Sequence, residues 1–108
     1  MKRALFIAAL LMAAGGTLRA AEAKELWDKN CASCHGKDGK GQTKMGAKLG
    51  VKDYTDAKVQ DALKDDVAFK SVKEGLKDKD KELMKPFAEK LTDDEIKSLI
   101  AYIRTFKK

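Results

Sequence analysis

The run Cys31-Ala32-Ser33-Cys34-His35 constrains this chain more than any other stretch. Spacings of three and four residues place side chains on one face of a helical turn. Two thiols and one imidazole would then project together. They are also the whole cysteine and histidine complement of the 108 residues. Cys-x-x-Cys-His is the attachment signature of a c-type haem: Cys31 and Cys34 bond its vinyl groups and His35 supplies one axial nitrogen to the iron.

Other chemistries use part of this pattern. A thioredoxin-like redox pair belongs beside a β-α-β pattern, and no alternating or β-branched run predicts a strand. A structural zinc site takes four ligands, so a carboxylate such as Asp38 would have to complete it. A disulfide between Cys31 and Cys34 would close a very short loop and contribute little. The histidine placed directly after the second cysteine favours haem.

Residues 1–20 read as a secretory signal peptide. Met1-Lys2-Arg3 is a basic start, Ala4 to Ala14 an apolar run, and Gly15 to Ala20 a small-residue exit. Cleavage falls after Ala20, or as late as residue 23. The apolar run is shorter than the roughly 20 residues of a membrane span, so no stable membrane anchor is expected. Residues 21–108 then form one domain. Losing Lys2, Arg3 and Arg19 takes the basic residues from 23 to 20 against 17 acidic ones, so the formal charge falls from +6 to +3. With no basic helix face and no interleaved aromatics, nucleic-acid binding has no support.

So short a chain makes a marginal core by itself. A haem is a large flat body that side chains pack around from both sides. The cofactor is therefore expected to be part of the core, and the haem-free chain to be largely unfolded.

Ala23, Leu26 and Trp27 give a first helix one apolar face leading into the haem motif. Glycines at 36, 39, 41, 46 and 50 predict an irregular, turn-rich segment with solvated lysines. Two short helices follow: one capped by Thr55 with Val59, Ala62 and Leu63 inward, and one capped by Asp65 with Ala68, Phe69 and Val72 inward. Gly75 ends the second and Leu76 closes its exit. Lys77 to Lys85 alternates in sign and reads as a solvated loop. The last helix has the strongest signals: a Thr92–Glu95 capping box, a Leu91–Ile96 staple and an Ile96, Leu99, Ile100, Ile103 face widened by Tyr102 and Phe106. The first helix is its expected partner.

With Cys31-Ala-Ser-Cys34-His35 near the start of the mature chain, Met84-Lys-Pro86-Phe87 late and a final amphipathic helix, residues 21–108 resemble a small bacterial class I cytochrome c. The resemblance implies an all-α fold, four to five helices around one covalently bound haem c, with N- and C-terminal helices crossing. It implies a soluble periplasmic one-electron carrier rather than an enzyme. The iron would be held by His35 on one face and Met84 on the other. The partners would be larger redox proteins, docking near the exposed haem edge. Of the two methionines left after signal removal, Met84 follows two helices that carry the chain across, and Pro86 fixes the backbone beside it. Met45, ten residues past His35, suits a core or surface role. Many members have Gly-Pro-x-Leu after the haem motif, and the proline carbonyl accepts from the proximal histidine. Here Gly46-Ala47-Lys48-Leu49 lacks the proline, which leaves the acceptor of the His35 N–H open. The rival class is a haem sensor or peroxidase-like protein with an open or labile distal site.

Overall fold

The polar and apolar spacing of the chain winds into helices that share one core, in a computed structural model that describes residues 21–108. The expected signal peptide lies outside the described residues. A helix α1 covers 21–30 and runs almost unbroken into α2, Ala32–His35. Then come α3 (Lys44–Leu49), α4 (Ala57–Ala62), α5 (Asp65–Glu74), a hairpin of β1 (Leu76–Asp78) and β2 (Lys81–Met84), and α6 (Asp93–Arg104). Counting α2 as the continuation of α1 gives five helical units.

The last helix forms for the reasons its sequence gives. Glu95 N–H donates to the Thr92 hydroxyl at 3.1 Å and Thr92 N–H to the Glu95 carboxylate at 2.8 Å, closing the capping box. Ile96, Leu99, Ile100 and Ile103 are buried with Leu91. Trp27 inserts between the two ends of the chain, its ring 6.0 Å from Tyr102 and 5.1 Å from Phe106. Ala68 and Val72 of α5 complete the cluster.

Several local expectations change. Residues 44–49 form a helix because the Thr43 hydroxyl caps it, accepting from Gly46 N–H at 2.8 Å, and Gly50 ends it in a left-handed turn. Asp56 rather than Thr55 caps α4, accepting from Lys58 N–H, while Thr55 turns back onto Asp53. Ala62 is exposed, and the buried residue of α4 is Gln60. Asp65 is the first residue of α5 rather than its cap.

The stretch after α5 is a hairpin. Its sign alternation pairs opposite charges across the strands, Lys77 against Glu82 and Asp78 against Lys81, which favours antiparallel pairing. Lys79 takes the positive φ of the turn. The charged residues remain solvated, and Leu76 is exposed instead of closing the α5 exit.

Candidate functional site

Cys31 to His35 form the expected helical turn, with the N–H of His35 donating to the Cys31 carbonyl at 2.9 Å. Cys31 is buried in the core cluster, Cys34 is half-exposed, and both are free thiols. Burial, with Cys34 beside it, pushes the Cys31 thiol up to about 12. It is therefore neutral at ordinary pH.

Two neighbours lock this turn. Trp27 Nε1 donates to the carbonyl of Gly36 at 2.9 Å, tying α1 to the residue after His35. The Thr43 hydroxyl donates to the Cys34 carbonyl at 2.6 Å. Gly46 lets α3 lie directly on the same carbonyl: a Cβ there would stand 2.5 Å from the Cys34 oxygen and 2.5 Å from the Gly41 oxygen. The glycine therefore permits a backbone-to-backbone contact that any side chain would push apart.

The His35 imidazole lies between two aromatic rings. Tyr54 stacks on it with centroids 5.5 Å apart and planes 24° apart, and Trp27 sits at 5.5 Å and 39°. Burial pushes the imidazole pKa below its ordinary value, favouring the neutral form that can ligate a metal. Its Nδ1 is buried with no hydrogen-bond partner. No backbone carbonyl of the 46–49 stretch receives it. That stretch is wound into α3, and the Gly46 carbonyl already accepts from Gly50 and Val51.

Met84 ends β2 opposite Leu76 and packs, half-buried, against the cluster that contains Cys31. Its backbone is held from both directions. A Cβ on Gly75, whose φ is +84°, would lie 2.8 Å from the Met84 carbonyl. Just past Pro86, Phe87 N–H donates to the Val72 carbonyl at 2.9 Å and clips the segment onto α5. A groove lined by Leu76, Met84 and Pro86 opens beside it. Met45, by contrast, is exposed on α3.

These residues fit a covalently held haem. The two thiols and the neutral imidazole leave one helical turn together. A thioether lies on the same core cluster. Among the described residues no three His, Cys, Asp or Glu side chains converge as a bare-metal site.

The family model named Cytochrome c matches residues 20–107. The chain belongs to the cytochrome c family. Among relatives of this cytochrome is cytochrome c-554(547) from Halothiobacillus neapolitanus, 37% identical over 82% of this chain and 97% of that one. Among solved structures, the KustC0563 c-type cytochrome superposes with a TM-score of 0.72 at 37% identity, covering 80% of this chain and 98% of that one. A mutant of that protein gives 0.70 at 36% identity, covering 80% and 99%. The cytochrome therefore has the mostly helical class I fold, carries one covalently bound haem c and is an electron carrier that works with redox partner proteins. No helix among its described residues is long and apolar enough to cross a membrane.

Sequence reasoning missed Gln60, Tyr54 and the helical state of 44–49. Gln60 is one of three polar residues of α4, beside Lys58 and Asp61, so its burial had no signal. The Thr43–Gly46 spacing was the available cue for α3.

Proposed function

We propose that this cytochrome is a soluble periplasmic one-electron carrier, delivered by a cleavable signal peptide over residues 1–20, that does no catalysis of its own. Cys31 and Cys34 hold the haem through thioethers, His35 ligates the iron on one face and Met84 on the other. The bound haem supplies the one-electron couple. The observation that carries this reading is the turn in which Cys31, Cys34 and His35 leave one helix together while Met84 packs on the same core.

The chain's own contribution is to keep that environment fixed and dry. The aromatic pair Trp27 and Tyr54 restrains the imidazole, and the α5–hairpin clip restrains Met84. A soft thioether opposite histidine favours the reduced metal and leaves no axial position for a substrate. Residues held by independent contacts need not move when the charge changes, so reorganisation stays small.

Docking falls to the surface beside Cys34. There α3 exposes Met45 and Ala47 together with Lys44 and Lys48. A surface that mixes exposed lysines with apolar side chains suits a partner with an acidic rim.

Met84→Ala in the ferric holoprotein tests the distal assignment. The weak far-red absorption band of an iron–thioether bond is expected in the parent and lost in the variant. A band that survives the substitution would assign the sixth ligand elsewhere.

A further inference from the structure

Gln60 is the buried polar side chain of α4, 4% exposed, and its amide is committed in every direction. Nε2 donates to the Tyr54 carbonyl at 2.6 Å and to the Ile103 carbonyl at 2.8 Å. Oε1 accepts from Arg104 Nη1 at 3.0 Å, and the same guanidinium nitrogen reaches the Gln60 carbonyl at 2.6 Å. A buried amide is costly unless each donor is used; here both N–H groups end on backbone carbonyls, that of Ile103 shared with Phe106 N–H at 3.1 Å.

One of those carbonyls belongs to the residue stacked on His35. Tyr54 N–H donates to the Gly39 carbonyl at 2.8 Å. With Gln60 on its carbonyl, the Tyr54 peptide is held from both sides. Its ring then meets the imidazole at 24° and Trp27 edge-on, at 6.5 Å and 62°. The chain of contact is short: the carboxyl end of α6, the Gln60 amide, the Tyr54 backbone, the Tyr54 ring, the imidazole.

We propose that Gln60 is a positioning residue for the proximal ligand, fixing through the Tyr54 carbonyl the ring that sets the plane of the His35 imidazole. The inference rests on His35 being an axial ligand. With no backbone acceptor on Nδ1, the aromatic walls take over the orienting role that a hydrogen bond to a ligating histidine ordinarily fills. Imidazole plane angle controls how unpaired spin spreads over the haem methyl groups in the ferric state. It also affects the relative stability of the two oxidation states. Arg104 has a different task. Its second nitrogen reaches the Leu63 carbonyl at 2.5 Å and Asp65 at 2.7 Å, so it fastens α6 to the α4–α5 junction.

The experiment is a proton NMR spectrum of the ferric holoprotein, with a midpoint potential, for a small set of variants. Gln60→Met keeps the length and removes both donors. It is expected to redistribute the haem-methyl shifts and displace the potential. Tyr54→Leu should redistribute the methyl shifts in the same sense, whereas Tyr54→Phe, which keeps the ring, should leave the pattern as in the parent. Arg104→Gln should lower the melting temperature with an unaltered methyl pattern. If Q60M yields no holoprotein, Gln60→Glu carries the same test, since a carboxylate paired with Arg104 offers the Tyr54 carbonyl nothing. A Gln60 variant that only melts earlier, with parental shifts and potential, would overturn the proposal. A parent protein without histidine-ligated low-spin iron would instead bring down the ligand reading on which it stands.

Discussion

Gly46 lies so close to Cys34 that a single added methyl would stand 2.5 Å from the Cys34 carbonyl oxygen. The haem-bearing turn is thus buttressed on this side by the backbone of α3 as well as by the Thr43 hydroxyl. Gly46→Ala should separate α3 from the turn and cost about 1–3 kcal/mol, the usual range for overpacking. Denaturant unfolding of the holoprotein checks this, and a parental midpoint would contradict it.

Trp27 joins the same turn from the other side, through its bond to the Gly36 carbonyl. Trp27→Phe keeps an aromatic in the core and removes the indole donor, leaving the Gly36 carbonyl only the longer 3.2 Å bond from Gly39 N–H. A loss of roughly 0.5–1.5 kcal/mol, that of one hydrogen bond, is expected, read from the same unfolding curves. An unchanged midpoint would contradict this.

The amount of this that was legible in the sequence varied with the physical origin of each feature. The haem turn and α6 were readable because local chemistry decides them: fixed ligand spacing in one, and a capping box, staple and apolar stripe in the other. The hairpin was not. Lys77 to Glu82 carry no apolar alternation, and only the folded register shows that their alternating signs become cross-strand pairs. Gln60 was hidden for the opposite reason. Its burial depends on Ile103 and Arg104, more than forty residues away, and no local pattern encodes such a partnership. At 44–49 the glycines argued for an irregular loop, but the Thr43 cap and close packing on Cys34 overrode that propensity.

Acid should expose one small electrostatic device. The Asp53 carboxylate accepts from the hydroxyl and the N–H of Thr55, which hold its pKa below the ordinary carboxylate range. A carboxylate depressed in the folded state stabilises the fold at higher pH, and that contribution is lost as pH falls below about 4 toward the folded value. Thr55→Val should flatten the fall in melting temperature over that interval. An identical pH profile would remove Asp53 from the account.

If the lysines of α3 steer an acidic partner, electron-transfer rates should fall as ionic strength rises. Charge reversal at Lys44 and Lys48 together should slow the reaction at low salt and weaken its salt dependence. Salt-independent rates would exclude this face as the steering surface.

Haem removal should unfold the chain. Cys31 and Met84 pack on one core cluster, and in the proposed function the cofactor completes that core, which a chain of this size makes only marginally by itself. Far-ultraviolet circular dichroism of the haem-free protein should show most of the helix signal gone. Native-like helix content would contradict this.

The central claim is that His35 and Met84 close both axial positions, making the protein a carrier. The measurement that meets it most directly is the optical spectrum of the reduced holoprotein at neutral pH, before and after addition of carbon monoxide. An unchanged low-spin spectrum is the predicted result. Rapid formation of a carbonyl adduct would mean an open distal site, and the chain would then have to be read as a haem sensor or a peroxidase-like protein.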